Sequence, residues 1–86
     1  MKKFYQDPED PFLGMNLNYE IRVGLSLRIQ AIQQANSTSG VHLTTERAEG
    51  FIDGLESVRI LHTEQIFEIR QIIESAAQAR TLVLIL

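Results

Sequence analysis

The sequence predicts an all-α protein: a helical hairpin that follows an extended N-terminal arm and assembles into a homo-oligomer. Eight residues, six of them apolar, recur at alternating steps of four and three along residues 51–76, which is the spacing of a packed helix. Residues 17–32 carry apolar side chains one helical turn apart and form the other helix of the hairpin. The apolar run 82–86 adds more apolar surface than one short hairpin covers, so we expect copies of the chain to associate.

Composition limits the class of protein. The chain has 86 residues, the length of one small domain with a modest core. It contains no cysteine, which excludes a disulfide scaffold, a thiolate metal site and a cysteine nucleophile. Its net charge of −3 disfavours DNA as a partner, because DNA-binding domains usually carry a basic stripe. No apolar run is long enough to span a membrane, and residues 1–8 turn acidic where a signal peptide would turn apolar, so we expect a cytoplasmic protein.

Residues 1–15 form the predicted arm, and residues 16–86 form one helical-hairpin domain with an apolar C-terminal tail. Pro8 and Pro11 favour extended backbone at the residues before them. Three aromatic residues in the arm, Phe4, Tyr5 and Phe12, are more than a disordered segment usually carries. We therefore expect the arm to dock on its own domain or on a neighbouring subunit.

Residues 16–36 allow two interpretations. Apolar residues alternate with polar or small ones over residues 17–29, which is typical of a strand and gives an α+β alternative. The same residues also follow helical spacing, and residues 31–35 are typical of a helix alone. We favour the helix, because a strand of that length needs a comparable strand beside it and the chain offers only short ones. Turn-forming residues at 36–40 then end it.

The sequence predicts one long second helix from Thr44 or Thr45 to about Arg80. Thr45 is the predicted N-cap. The seam that packs against the first helix is Phe51, Leu55, Val58, His62, Gln65, Ile69, Ile72 and Ala76. We interpret the two polar seam residues, His62 and Gln65, as hydrogen-bonded positions that fix the register of partner helices. The apolar tail 82–86 is expected to lie under the arm or in a neighbouring subunit.

Arginines are the candidate ligand-binding residues. The chain has six arginines and two lysines, a ratio that favours fork-shaped recognition of phosphate or carboxylate. Arg22 and Arg28 have Glu20 as their only nearby acidic residue, so they are the stronger candidates for binding an external anion. Arg70 is a third candidate, with an ion pair to Glu74 as the alternative.

Other polar patterns favour structural roles. Acidic residues recur every three or four positions, at Glu46, Glu49, Asp53 and Glu56, which is typical of a solvated helix face, with acid–base chemistry or a bound divalent cation as the alternative. Gly50 and Gly54, with Gly24 in the earlier segment, predict a close helix crossing, with a ligand on exposed backbone as the alternative. His42 and His62 lack a nearby third ligand, so we predict no metal site. The chain has no phosphate loop, nucleophile elbow or dinucleotide fingerprint, so we predict neither an enzyme nor a cofactor.

Short segments along the chain match one known family in order. They are residues 3–8 in the arm, 19–22 in the first helix, and 45–47, 55–56 and 66 in the second. In these segments the sequence resembles the small phage proteins that sequester the cyclic nucleotides of the bacterial CBASS defence. The tryptophan frequent in the second helix of that family is absent, with Leu61 near its place. The resemblance implies a helical hairpin in a symmetric oligomer, Tyr5 stacked on a base, and a phosphate contact from Arg22 or Arg28.

Two functional hypotheses follow. In the first, the protein is a non-catalytic sponge that binds a small anion, a cyclic nucleotide by the resemblance, at subunit interfaces in the host cytoplasm. In the second, it is a homo-oligomeric protein-interaction module or inhibitor that docks a partner, such as a host defence protein, through apolar helix faces. A dimeric DNA binder built on a strand over residues 17–29 is disfavoured by the net charge.

Overall fold

The computed structural model describes residues 11, 12 and 14–86. These residues form three helices: α1 (Tyr19–Gln33), α2 (Thr38–Ser57) and α3 (Thr63–Ile85). No strand occurs in the described part of the chain, so the all-α prediction is confirmed and the strand alternative for residues 17–29 is wrong. As a helix, this segment buries one face in the core, which an unpaired strand could not do without leaving its backbone groups unbonded.

Helix α1 begins at a side-chain cap and presents one apolar face to the core. The Asn18 side chain accepts a hydrogen bond of 2.9 Å from the Ile21 backbone N–H. The residues that α1 buries are Ile21, Leu25, Ile29 and Ile32. They recur at helical spacing, whereas a second apolar row on this helix, formed by Tyr19, Val23 and Leu27, remains outside the core.

The predicted long helix over residues 45–80 is wrong, because the chain turns between α2 and α3. Helix α2 ends at Ser57, and Val58 is its C-cap. Arg59 follows with a φ of 57°, in the left-handed region, and its N–H donates to the Glu56 carbonyl at 3.1 Å. This geometry closes the last turn of α2 and directs the chain into α3 at Thr63. The molecule is therefore a three-helix protein rather than a two-helix hairpin.

The starts of α2 and α3 also differ from the sequence prediction. Helix α2 begins earlier than Thr45, since Ser37 is its N-cap and accepts a 3.0 Å hydrogen bond from the Gly40 N–H. His62 and Gln65 lie at the start of α3, where the Gln65 side chain accepts a 2.9 Å hydrogen bond from the His62 N–H. They cap a helix instead of lying on a seam within one, so the predicted seam does not continue across the turn.

The three helices pack on one another, and two long-range hydrogen bonds define their directions. Near the start of α3, the Gln65 amide donates to the Asn16 carbonyl at 3.4 Å. Farther along α3, Arg80 Nε donates to the Ala35 carbonyl at 2.9 Å. Helix α3 is thus parallel to α1, and α2 runs antiparallel to both because short connections join it to each.

One apolar core holds the helices together. Its buried members are Phe12, Ile21, Leu25, Ile29, Ile32, Val41, Ala48, Ile52, Leu55, Ile66, Ile69 and Ile73. Phe12 is fully buried and brings the chain before α1 into the core. The predicted docking of the arm through Phe4 and Tyr5 concerns residues outside the described part of the chain. Among the described helices, none is both long and apolar enough to cross a lipid bilayer.

Candidate interaction surface

An apolar row lies on the solvent side of α1. It consists of Tyr19, Val23 and Leu27, which are 72%, 37% and 55% exposed. Side chains four residues apart share one face of a helix, so the three form a continuous strip. We call it the α1 row. The described residues leave Tyr19 and Leu27 more than half exposed and Val23 about one-third exposed, and the row starts at the end of the molecule where α1 and α3 both begin.

A second apolar surface lies at the opposite end, where α3 finishes. Leu82, Val83, Ile85 and Leu86 are each more than half exposed, and only Leu84 packs against the core. We call these four residues the α3 end. Helix α3 continues past the level of Ala35, to which Arg80 is hydrogen-bonded. The described residues therefore leave these four side chains uncovered, and the two predicted covers, arm residues 1–10 and a neighbouring subunit, lie outside the described part of the chain.

A groove between α1 and α3 leads to the α3 end. Its larger part has a volume of about 450 Å³ and is lined by Pro11, Ile29, Gln33, Gln71, Ile72, Ser75 and Ala76. A smaller depression of about 210 Å³ shares Gln33 and Ala76 and extends to Ala79, Arg80 and Val83. Small side chains on α3 leave this space open between two parallel helices. We call the two parts together the α1–α3 groove.

Arg28 lies in the contact between α1 and α2. Its guanidinium carbon is 4.0 Å from the centre of the Phe51 ring, a cation–π distance. Its Nη1 donates to the Gly24 carbonyl at 3.1 Å, and its buried Nε has no hydrogen-bond partner. Gly24 allows the ring to lie there, since a Cβ at this position would be 2.7 Å from Phe51 Cζ. Packing thus holds Arg28 in place, and no carboxylate among the described residues pairs with it.

Arg70 binds three carboxylates of α2. Its Nη1 donates to Glu49, and its Nη2 donates to Asp53 at 2.8 Å and to Glu56 at 3.0 Å. The hydrogen bond to Asp53 raises the pKa of Arg70; the bond to Glu56 and the nearby carboxylate charges act in the same direction, and burial opposes them. The alternative pairing with Glu74 is wrong, because Arg70 crosses to α2 instead. The three acids still lie on a solvated face, since Asp53 and Glu56 are more than half exposed, and on that face they form an ion-pair cluster with Arg70.

The predicted ligand-binding residues do not meet in one site. Arg28 lies on the side of α2 that faces α1, whereas Arg70 lies on the side that faces α3. Arg22 is half-buried on α1, six positions before Arg28 and on a different face of that helix. Tyr5 is outside the described residues. The described part of the chain therefore forms no anion pocket that joins these arginines.

Two other predicted features, the paired glycines and the histidines, can be placed in the structure. A Cβ on Gly50 or Gly54 would meet no atom within 4 Å, so the predicted close helix crossing at these glycines is wrong. His42 pairs with Glu46 at 3.2 Å on the surface of α2. Within the described residues, no group of three His, Cys, Asp or Glu side chains is arranged to hold a metal ion.

The sequence interpretation missed the α1–α3 groove. The signal available for it was a set of small residues, Ser75, Ala76 and Ala79, on the face of α3 that also carries Ile72 and Val83. Small residues on one helix face leave space beside a neighbouring helix, but the sequence does not identify α1 as that neighbour.

The fold and these surfaces define a class: a small three-helix protein with apolar faces that its own described residues leave uncovered. No protein-family model, curated protein or solved structure matches the chain. Its function is therefore argued from the described surfaces.

Proposed function

We propose that the protein is a non-catalytic interaction module that forms a homo-oligomer through the α3 end and docks a partner protein through the α1 row. The observation that carries this proposal is the presence of two separate apolar surfaces, one starting where α1 begins and the other where α3 finishes. Exposed apolar surfaces of this kind usually mark contacts with other molecules. Their separation leaves one surface accessible while the other is covered.

The energetics favour association through the α3 end. Burial of one large aliphatic side chain stabilises by about 1.5–3 kcal/mol relative to full exposure. The four side chains of the α3 end are 55–101% exposed, so most of that free energy is still available to a contact. It is comparable with the roughly 4–15 kcal/mol that association costs in lost translation and rotation. In a symmetric contact both copies contribute the same surface, so the free energy of burial is about twice that of one copy. This supports a reversible oligomer.

The α1 row has the geometry by which an amphipathic helix docks in an apolar groove. Such helices present anchor side chains at positions i, i+4 and i+8, as Tyr19, Val23 and Leu27 do. The tyrosine offers a large apolar ring with a hydroxyl at its edge, a combination enriched at protein interfaces. The partner that this row fits is a protein with a complementary apolar groove.

Sedimentation equilibrium over a range of protein concentrations tests the proposal. The wild-type chain should associate reversibly, and Val83→Ser should weaken that association. Leu27→Ser should leave the stoichiometry unchanged, because the α1 row is reserved for the partner. Val58→Ser is the matched control, since Val58 is equally exposed but lies on the turn between α2 and α3. A monomeric wild type, or an oligomer that Leu27→Ser dissociates as strongly as Val83→Ser, would contradict the proposal.

A second candidate function is sequestration of cyclic nucleotides as a phage counter-defence. The observation that favours it is Arg28, a guanidinium held over Phe51 with no carboxylate partner among the described residues. A guanidinium so placed is suited to a phosphate contact. The resemblance adds Tyr5 as the residue that stacks on a base.

Thermal unfolding with a panel of cyclic di- and trinucleotides tests this candidate. At a hundredfold excess over Kd, a bound ligand adds about 2.7 kcal/mol to the free energy of unfolding, which shifts Tm by several degrees in so small a domain. Arg28→Met and Tyr5→Ala should each reduce that shift, and Arg47→Met, a change at an exposed position on α2, should not. The ligand should be recovered intact. An unchanged Tm across the panel would exclude this candidate in favour of the interaction module.

A further inference from the structure

We propose that the partner at the α3 end is a second copy of the chain, with the two α3 helices packed antiparallel about a twofold axis between Ala76 and Ala79. In this arrangement Val83 of each copy enters the α1–α3 groove of the other copy beside Ile72. The inference rests on the proposed function and deepens it, because it names the occupant of the surface and the register of the contact.

The order of residues along the groove indicates the register of the antiparallel contact between the two α3 helices. Ile72, Ala76, Ala79 and Val83 all line it, at steps of four, three and four. That spacing places them on one stripe of α3, and Leu86 continues the stripe. The order is large, small, small, large, and it is unchanged on reversal.

A twofold axis requires this kind of self-complementarity, since residue i contacts residue j and j contacts i. With the axis between Ala76 and Ala79, each alanine faces the other alanine of the second copy. The small side chains let the helices approach closely at the centre. Ile72 and Val83 then face each other at both ends, where the groove provides volume for the larger side chains.

The low charge of the α1–α3 groove favours its burial by a second copy of the chain. Its polar lining residues Gln33, Gln71 and Ser75 are neutral. The one charged lining residue, Arg80, already donates through Nε to the Ala35 carbonyl and can extend to the rim. A second copy therefore covers the centre of the groove without desolvating an unpaired charge, as in the charge-depleted centres of protein interfaces.

The available area indicates a weak dimer. At about 25 cal/mol per Å², burial of a large aliphatic side chain corresponds to roughly 60–120 Å². Val83 and Leu86, the two side chains of the α3 end that lie on the stripe, then contribute roughly 100–200 Å² per copy, to which the groove adds its own lining. A standard interface buries about 800 Å² per partner, so the dimer lies at the small end of the range and should dissociate on dilution.

Cysteine cross-linking in the full chain tests the register, because the natural sequence has no cysteine. The variants Ile72→Cys and Val83→Cys are made as separate chains, one with an added size tag, and are oxidised alone and mixed. In the antiparallel dimer the two Val83 positions are roughly 16 Å apart along the helix axis, too far for a disulfide. We expect a cross-linked dimer only on mixing. Val58→Cys mixed with Ile72→Cys is the control and should give none.

A second variant tests the axis without a cross-link. Ala79→Gln places a larger side chain at the exposed position next to the axis and should raise the dimer dissociation constant at least about tenfold. The helix content measured by far-UV circular dichroism should not change. Val58→Gln is the matched substitution away from the groove and should leave the dissociation constant unchanged.

The outcomes separate this inference from the proposed function. Cross-linking of Val83→Cys with itself, or no cross-link on mixing while sedimentation still finds an oligomer, would overturn the antiparallel register and leave the proposed function standing. A wild-type chain that sediments as a monomer would overturn both. Cross-linking confined to the mixture, with dissociation by Ala79→Gln, is the result that the inference requires.

Discussion

Replacement of Gly24 by alanine should destabilise the protein, although alanine is the better helix former. In a helix interior, glycine to alanine normally stabilises by about 0.8–1.0 kcal/mol. At Gly24 the new Cβ would lie 2.7 Å from Phe51 Cζ and 3.3 Å from Cε2, so the ring has to move. Overpacking of this kind costs about 1–3 kcal/mol, and displacing the ring from Arg28 costs about 0.5–1 kcal/mol more. The net loss should be about 1–2 kcal/mol.

Gly50→Ala is the matched control, because its Cβ would meet no atom within 4 Å. It should stabilise by the full helix-propensity gain. The two variants should therefore differ by about 2–3 kcal/mol in the free energy of unfolding, measured by urea titration followed by far-UV circular dichroism. Protein concentration has to be held constant, because an oligomer gains stability by mass action. Equal stabilisation by Gly24→Ala and Gly50→Ala would show that the Phe51 ring does not lie against Gly24.

A double-mutant cycle identifies the cause. In a Phe51→Ala background the clash is absent, so Gly24→Ala should regain the stabilisation that helix propensity predicts. The coupling energy between the two positions should then be about 2–3 kcal/mol. Additive effects would assign the loss at Gly24 to some contact other than the ring.

Three further substitutions test the turn, the ion-pair cluster and the core. Arg59→Gly should raise the free energy of unfolding by about 0.5–1 kcal/mol in urea titration, because glycine adopts a φ of 57° without the Cβ penalty, and Arg59→Ala should bring no such gain. Arg70→Met should lower the free energy of unfolding by about 1 kcal/mol at low salt, and this loss should shrink as added salt screens the three carboxylates. The control Arg47→Met, at an exposed position, should leave the free energy of unfolding nearly unchanged. Ile69→Ala should cost about 2–5 kcal/mol because Ile69 is fully buried, while Val58→Ala, 61% exposed, should change stability by less than about 0.5 kcal/mol. Equal losses of stability from Ile69→Ala and Val58→Ala would instead support the continuous seam that the sequence predicts.

The helical class was predictable because it depends on periodicity along the chain. The buried residues Ile21, Leu25, Ile29 and Ile32 are the row that helical spacing selects between residues 17 and 32. The strand alternative failed for the reason given by the sequence itself, namely that no long strand was present to pair with residues 17–29.

The turn at residues 58–62 was not predictable from the usual signals. It contains neither glycine nor proline, and Arg59 adopts the left-handed conformation that glycine ordinarily provides. The apolar spacing also continues through Val58 without a break. The one signal in the sequence is Gln65 three residues after His62, the second half of a capping box whose first position is usually serine or threonine.

The ion-pair cluster depends on that turn. Arg70 reaches Glu49, Asp53 and Glu56 because α3 folds back along α2. On one continuous helix the same residues would be more than three turns apart along the axis, or about 20 Å for Glu56 and Arg70. Local sequence spacing therefore identified the charges but assigned them the wrong partners.

The parallel arrangement of α1 and α3 has a consequence for the order of folding. The hydrogen bonds from Gln65 to Asn16 and from Arg80 to Ala35 join residues 49 and 45 positions apart, whereas α2 and α3 meet across a turn of five residues. Closing the longer loop costs more chain entropy, so the two local pairs, α1 with α2 and α2 with α3, should form before α1 meets α3. In pulse-labelling hydrogen exchange, amides of α2, which belongs to both local pairs, should become protected no later than those of α1 and α3. The α1–α3 groove would then be the last part of the molecule to form and the first to open.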